Sequence, residues 1–254
     1  MSGQAALSGL AVLVTGASSG IGRATALAAA RAGADVAVTY RANEAGARSV
    51  AHEIGSLGRR AFVTRLDLTD DASIRAVGPA ARDALGRLDV WINNAGADIL
   101  TGPGDALSDV DKLDLLLAVD LRGTMLASWE AARLLAAAGG GVIINMSWDH
   151  VLTGMPGRNP EMFAAVKGGV LAFSKSLART AAPLVRVNVL APGWIRTSFG
   201  EGLDEERRRN ISETTPLGRW GTPEDVARAA IFLASSDASF VTGQAILVGG
   251  GTVM

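Results

Sequence analysis

The 254-residue sequence contains no cysteine. This absence excludes disulfide bonds, thiolate metal sites and a cysteine nucleophile, and the sequence predicts no metal site of another kind. Tyrosine and histidine are also scarce, because the chain has one tyrosine, Tyr40, and two histidines, His52 and His150. Few side chains are therefore available for acid–base chemistry near neutral pH.

The chain also lacks an excess of charge of either sign. It has 24 basic and 25 acidic side chains and a net charge of −1, so we expect neither nucleic acid nor an acidic membrane surface as a partner. No apolar stretch reaches the roughly 18 residues that predict a membrane span. Residues 1–8 lack the basic and apolar regions of a secretory signal. We expect a cytoplasmic protein.

A glycine-rich turn near the N-terminus follows an apolar segment, residues 10–14, and precedes an alanine-rich segment, residues 23–31. The first segment is typical of a buried parallel strand and the second of a helix. In such a unit, backbone N–H groups and the helix N-terminus face an anionic phosphate, and glycines let a pyrophosphate approach the backbone. The predicted phosphate-binding residues are Gly16, Ser18, Ser19, Gly20, Ile21 and Gly22.

The second predicted strand ends at Tyr40, and Arg41 follows it. In a doubly wound sheet this strand end faces the adenosine ribose of a dinucleotide. An acidic residue there bonds the 2′-hydroxyl of NAD, whereas an arginine accommodates the 2′-phosphate of NADP. Residues 40–43 contain no acid, so the sequence favours NADP(H) as the cofactor. The alternative is that Arg41 is only a solvated loop charge.

Apolar segments alternate with helical patterns along the rest of the chain. This alternation predicts an α/β fold in which residues 1–254 form a single doubly wound (Rossmann) domain, a parallel sheet with helices on both faces. A long helical region is interrupted near residues 120–123. The polar, charged region 198–215 predicts a lid over a substrate.

Further motifs stand in a set order along the chain: Thr15-Gly-Ala-Ser-Ser-Gly-Ile-Gly22, Asp67, Asn93-Asn-Ala-Gly96, Lys167, Asn188, Pro192-Gly193 with Thr197, Arg219-Trp-Gly-Thr-Pro-Glu224 and Thr242-Gly-Gln244. On these residues the chain resembles the short-chain dehydrogenase/reductase family over essentially its whole length. The resemblance implies an enzyme that uses a nicotinamide cofactor and a small-molecule substrate. It also implies a homo-oligomer, a tetramer or dimer, built on helices near residues 121–138 and 161–180.

The resemblance assigns cofactor contacts to residues outside the glycine turn. Asp67, with Leu68, would contact the adenine, and Lys167 would hold the hydroxyls of the nicotinamide ribose. The other implied positions are those around the adenosine ribose, the pyrophosphate and the carboxamide: Asn94, Ala95, Gly96, Pro192, Gly193, Ile195 and Thr197.

The catalytic positions depart from the family pattern. Family members carry Tyr-x-x-x-Lys, in which the tyrosine exchanges a proton with the substrate oxygen, but this chain has Phe163-Ala-Ala-Val-Lys167. The family's serine position holds Trp148, directly after Ser147, and the asparagine of the helix kink is Asp120. The segment before Phe163 is longer than usual, and we place the surplus at residues 158–162. Without that insertion His150 would occupy the serine position.

Our leading hypothesis is an NADPH-dependent reductase of atypical mechanism. The proton would come from His150, Asp149, Asp120 or water, since phenylalanine has none to give. Such a mechanism suits a conjugated enone, an imine or iminium, or a polyketide-like molecule of secondary metabolism better than a simple ketone. Lys167 and Ser147 complete the candidate catalytic set.

Two other hypotheses stay open. The scaffold could hold a non-redox cyclase, dehydratase or isomerase that uses Asp149 and His150 as an acid–base pair. Trp148, Phe163 and Trp194 would then line a pocket for a planar substrate. The protein could also be a ligand-binding pseudoenzyme, in which Trp148 and Phe163 simply pack the site closed.

Several candidate residues also have a purely structural interpretation. His150 would hydrogen-bond a loop carbonyl, and Ser147 would satisfy backbone groups at the end of its strand. Lys167 and Asp120 would form an ion pair.

Overall fold

The computed structural model describes residues 5–197 and 202–254. Within these ranges, seven parallel strands form one sheet in the order β3-β2-β1-β4-β5-β6-β7. The strands are β1 (Ala11–Val14), β2 (Asp35–Tyr40), β3 (Ala61–Arg65), β4 (Val90–Asn93), β5 (Gly141–Met146), β6 (Val185–Pro192) and β7 (Ala245–Val248). The strand order reverses between β1 and β4, which is where ligands bind in open sheets of this kind.

Helices cover both faces of the sheet, so the predicted doubly wound α/β fold is confirmed. In the described ranges they are α1 (Gly20–Arg31), α2 (Glu44–Ser56), α3 (Asp71–Leu85), α4 (Gly102–Asp105), α5 (Asp109–Leu116), α6 (Thr124–Ala137), α7 (Arg158–Ala181), α8 (Glu205–Thr214) and α9 (Pro223–Ala234). A π-helical segment, Leu117–Gly123, joins α5 to α6, and a short 3-10 turn, Asp149–Val151, follows β5.

The alternation of side chains along the buried strands divides the core into two layers. Val12 and Val14 of β1 pack with α1, α2 and α9 on one face. Ala11 and Leu13 pack with α3, α6 and α7 on the other. Burial on both faces explains why the strands are continuous apolar runs rather than alternating ones.

The structure refines three expectations. The interruption near residues 120–123 is the π-helical segment Leu117–Gly123, a conformation frequent at functional sites. Residues 158–162, where we place the surplus, lie at the start of α7, which begins at Arg158. Of the expected lid, residues 198–201 lie outside the described residues, and the described part contains α8. Whether this region covers a substrate stays a prediction.

No helix in the described part of the chain is long and apolar enough to cross a membrane. Over the same residues, no group of three or more acidic or histidine side chains could hold a metal ion.

A buried polar network fastens the centre of the sheet to α6 and α7. Trp91 Nε1 donates to Asn93 Oδ1 at 2.8 Å, and Asn93 Nδ2 donates to Ser128 Oγ at 3.0 Å and to Asn145 Oδ1 at 2.9 Å. Asn145 Nδ2 donates to Ser174 Oγ at 2.9 Å. A satisfied network in a low-dielectric core fixes one arrangement of its parts. It thereby sets the positions of α6, which continues from the π-helical segment, and of α7.

Replacing Asn145 with leucine removes the centre of this network. We expect Asn145→Leu to lower the free energy of unfolding by about 3 kcal/mol, because Asn93 and Ser174 lose buried partners. Urea unfolding measures the change. Asn210→Ala on exposed α8 is the control, with an expected change within about 0.5 kcal/mol. A loss below about 1 kcal/mol for Asn145→Leu would show that the network contributes little.

Candidate active site

The glycine-rich turn is shaped by close backbone approaches. Gly16 and Gly20 have φ of +65° and +53°, a region that L side chains rarely adopt. A Cβ on Gly22 would collide with the Gly16 carbonyl oxygen and the Asn94 side chain. Ser19 is the N-cap of α1 and makes no capping hydrogen bond through its side chain. The first N–H groups of α1 are thus not capped by Ser19, which suits an anionic phosphate.

The loop after β4 is tied to this turn. The backbone N–H groups of Asn94 and Ala95 both donate to Thr15 Oγ1 at 2.9 Å. Asn94 Nδ2 donates to the carbonyl oxygens of Thr15 at 3.0 Å and Gly16 at 3.3 Å. The structure therefore brings these predicted cofactor residues together at the carboxyl ends of β1 and β4.

Two arginines, Arg41 and Arg65, stand at the ends of β2 and β3. Arg65 lies opposite Tyr40 in the register, and its Nε donates to the Arg41 carbonyl oxygen at 3.2 Å. Arg65 also pairs with Asp67 at 3.2 Å. Hydrogen bonds from Thr69 hold the pKa of Asp67 below its usual value, and Arg65 and Arg41 lower that pKa further. Arg65 is a candidate that sequence analysis missed, although its place at the end of the third strand could have revealed it.

The remaining cofactor candidates lie around the same groove. The Thr197 methyl group would be 3.8 Å from a Cβ on Gly20, so Thr197 stands beside the N-terminus of α1. Ile195 is buried and pairs with Gly221 in an isolated β-bridge. Leu68 and Gly96 lie near the π-helical segment, since a Cβ on Gly123 would meet Leu68 and one on Gly96 would meet Asp120. Pro192 and Gly193 stand at the end of β6.

Lys167 and Asp120 form a buried ion pair. Lys167 Nζ lies 2.8 Å from Asp120 Oδ1, and the two residues are 5% and 1% exposed. Asp120 Oδ2 accepts a hydrogen bond from the Ala97 N–H at 2.7 Å, and Lys167 Nζ donates to the Met146 carbonyl at 3.4 Å. The ion pair expected from the structural interpretation is present. Each charge has the partners that burial requires.

Ser147 stands at the end of β5 and contacts α7. Its hydroxyl donates to the Lys167 carbonyl oxygen in α7 at 2.8 Å. The hydroxyl thus satisfies a backbone group, as the structural interpretation expects, and the carbonyl belongs to α7, which passes close to β5. Ser147 thus joins β5 to α7.

Asp149 and His150 lie directly after β5 and contact each other, and we call them the dyad. Asp149 is fully buried, and its Oδ1 lies 2.6 Å from His150 Nδ1 and accepts from the His150 N–H at 2.7 Å. The expected bond from His150 to a loop carbonyl is therefore replaced by the bond to Asp149. Burial raises the pKa of Asp149, and the hydrogen bonds from His150 oppose that rise.

The second carboxylate oxygen of Asp149 has an unusual setting. Oδ2 has no hydrogen-bond partner among the described residues. It lies where a Cβ on either Gly193 or Gly249 would collide with it. Only glycine at both positions leaves room for Asp149, so the ends of β6 and β7 help to hold the dyad.

An aromatic row extends from the dyad in both directions. Trp148 stacks on His150 with ring centroids 4.9 Å apart, and Phe163 meets Trp148 edge-on at 5.4 Å. On the other side Trp194 lies 6.1 Å from His150, and Trp220 lies 5.7 Å from Trp194. We call the rings of Phe163, Trp148, His150, Trp194 and Trp220 the aromatic row. Trp148, Phe163 and Trp194 were predicted as pocket residues, whereas Trp220 was missed.

Comparisons with known proteins agree with this geometry. A family model described as enoyl-(acyl carrier protein) reductase matches residues 16–253. Cis-4-hydroxycyclohexanecarboxylate dehydrogenase of Sinomonas cyclohexanicum is 40% identical over 240 residues, which cover 94% of each chain. L-rhamnose 1-dehydrogenase (NAD(P)(+)) of Sphingomonas sp. (strain SKA58) is 38% identical over 251 residues, 96% of each chain.

A solved structure completes the comparison. The 7 alpha-hydroxysteroid dehydrogenase complexed with NADH and 7-oxo glycochenodeoxycholic acid superposes with a TM-score of 0.89 at 31% identity, covering 98% of this chain and 96% of that one. This chain belongs to the short-chain dehydrogenase/reductase family. The expectation of an oxidoreductase of this family is confirmed. Its relatives use nicotinamide cofactors, as the NADH in the steroid dehydrogenase complex illustrates.

The glycine turn of this short-chain dehydrogenase/reductase gives a direct test of its close packing. We expect Gly22→Ala to lower the free energy of unfolding by about 2 kcal/mol, because the new methyl group must displace the Gly16 carbonyl or Asn94. Urea unfolding measures the change. Gly55→Ala in exposed α2 is the control, since its Cβ would meet nothing within 4 Å.

Gly55→Ala should instead raise the free energy of unfolding. An alanine in an exposed helix interior is favoured over glycine by about 0.5–1 kcal/mol. Equal stability changes in the two variants would contradict the close approach at Gly22.

Proposed function

We propose that this protein is an NADP(H)-dependent reductase of atypical mechanism, acting on a polarised double bond such as a conjugated enone or an imine. The observation that carries this proposal is the pairing of Phe163 with a Lys167 already bound to Asp120. A phenylalanine has no proton to give, and Lys167 has its charge opposed at 2.8 Å. A simple ketone, which needs a proton on its oxygen, fits this arrangement poorly.

The start of α1 and the arginines at the ends of β2 and β3 support the cofactor assignment. The uncapped start of α1 and the close approach at Gly22 suit a pyrophosphate. Exposed Arg41 and Arg65 suit a 2′-phosphate, since guanidinium groups bind phosphate well. Lys167 would hold the nicotinamide ribose. A reduced nicotinamide bound there supplies a hydride.

For substrates that need a proton, His150 is the proposed donor. Asp149 holds the ring through Nδ1 and fixes which nitrogen is engaged. The remaining nitrogen, Nε2, is then the one that can carry a proton toward a substrate. Asp149 acts as a positioning residue, because it works through His150.

A non-redox activity is the second candidate, and the dyad is the observation that favours it. A buried carboxylate beside a histidine is an acid–base pair that a cyclase, dehydratase or isomerase could use. Product formation without nicotinamide turnover would support this candidate.

A lid and a homo-oligomer are also part of this proposal. The region 198–215 would act as a lid, and Trp220 Nε1, which donates to the Arg208 carbonyl at 3.0 Å, would connect its helix to the aromatic row. A homo-oligomer would bury Trp129, which is 50% exposed on α6 and packs edge-on against Phe173 of α7.

Cofactor choice is tested by titrating the protein with NADPH and with NADH while following nicotinamide fluorescence. We expect tighter binding of NADPH, and Arg41→Ala should weaken that binding about tenfold without changing NADH binding. Arg31→Ala at the exposed end of α1 is the control. If neither nucleotide binds, the reductase proposal fails.

The proton donor is tested with a conjugated enone as the acceptor. We expect His150→Gln to lower kcat about 100-fold and to leave the Kd for NADPH unchanged, because general acid catalysis typically contributes at least this factor. His52→Gln is the matched control, since His52 is exposed on α2. Unchanged turnover in His150→Gln would remove His150 from the mechanism.

A further inference from the structure

We propose that the hydride acceptor is a cation, an iminium ion whose charged C=N group binds against the aromatic row. This inference rests on the proposed reductase function and narrows its substrate class. Three features of the site carry it: the partly exposed aromatic row, the pairing of Lys167 with Asp120, and the absence of a proton donor at Phe163.

The aromatic row is partly accessible to a ligand. Phe163, Trp148 and His150 are each only partly buried. Ring faces carry negative partial charge and attract cations, and tryptophan does so most strongly. Lys167 Nζ lies over the Phe163 ring at 5.4 Å from the centroid, which is within the range of this attraction.

The charges around the row also suit a cation. An unpaired ammonium at Lys167 would repel a positively charged substrate. Asp120 opposes that charge at 2.8 Å. A second buried carboxylate, Asp149, lies behind His150. Lys167 therefore presents no unopposed positive charge to a cation at the row.

The chemistry balances without a proton from the protein. The iminium carbon accepts the hydride with its electron pair, and a C–H bond forms. The π electrons of the C=N bond become the lone pair of nitrogen, and the product is a neutral tertiary amine. The reductant is the reduced nicotinamide of the proposed function, which is oxidised in the same step. Phenylalanine at position 163 is compatible with this reaction, whereas the alkoxide formed from a ketone would find no proton donor at that position.

A pair of ligands of nearly equal shape tests the proposal without turnover. The 2,2-dimethyl-1,2,3,4-tetrahydroisoquinolinium cation cannot be reduced, and 2,2-dimethyl-1,2,3,4-tetrahydronaphthalene is its neutral carbon counterpart. Tryptophan fluorescence follows their binding to the protein, with and without NADP+. We expect the cation to bind at least about fivefold more tightly. Equal or tighter binding of the neutral molecule would overturn the proposal.

The variant Trp148→Leu tests whether the Trp148 ring is responsible for the preference for the cation. Trp148→Leu should reduce the preference for the cation about fivefold, and its NADPH affinity should match the parent protein, which also shows that it folds. Trp129→Leu, on the outer side of α6, should keep the preference. Equal losses for both ligands in Trp148→Leu would mean that Trp148 supplies only apolar surface, and the proposal would fall.

The result separates this inference from the proposed function. NADPH binding with no preference for the cation would overturn the inference alone. A preference for the cation in a protein that binds neither nucleotide would overturn the reductase function while supporting cation recognition.

Discussion

The contact between Lys167 Nζ and Asp120 Oδ1 joins the two helical segments that line the site. Both residues are nearly fully buried, and an unpaired charge there would cost several kcal/mol. Asp120 reaches this position from the π-helical segment, and its second oxygen holds the Ala97 N–H after β4. The pair therefore fixes α7, the π-helical segment and the loop after β4 relative to one another. Its chemical consequence is that Lys167 has a carboxylate as its nearest partner.

The rest of the site is consistent with that constraint. Phe163 lies one helical turn before Lys167 and offers a ring face rather than a hydroxyl. Trp148 and His150 stack beside it, and Asp149 holds His150 from the buried side. In a family whose members commonly protonate the substrate oxygen through a tyrosine, this combination of residues favours an acceptor that needs no such proton.

Much of the fold could be predicted because it depends on local patterns. Continuous apolar strands alternating with helices dictate a parallel doubly wound sheet, and the glycine turn marks the edge where ligands bind. The pairing of Lys167 with Asp120 could be predicted because both positions belong to family motifs. The Asn93–Asn145 network was missed, because it depends on register between segments far apart in sequence.

Other details of the site depend on close approach in three dimensions. The room for Asp149 is made by Gly193 and Gly249, which lie at the ends of two later strands. The Ser147 hydroxyl turns to α7 because that helix passes beside β5. Trp220 joins the aromatic row only because the chain returns to Ile195 through a single β-bridge at Gly221. No pattern within a short window of sequence predicts such contacts.

The central claim is that this site transfers a hydride although it has phenylalanine in place of the family's tyrosine. The most direct measurement uses NADPH deuterated at C4, as both diastereomers, with the N-methyl-3,4-dihydroisoquinolinium cation as the acceptor and mass spectrometry of the product. The account predicts an N-methyltetrahydroisoquinoline carrying one deuterium at C1 from one diastereomer of NADPH. An unlabelled product from both, or no product from a protein that binds both NADPH and the cation, would contradict it.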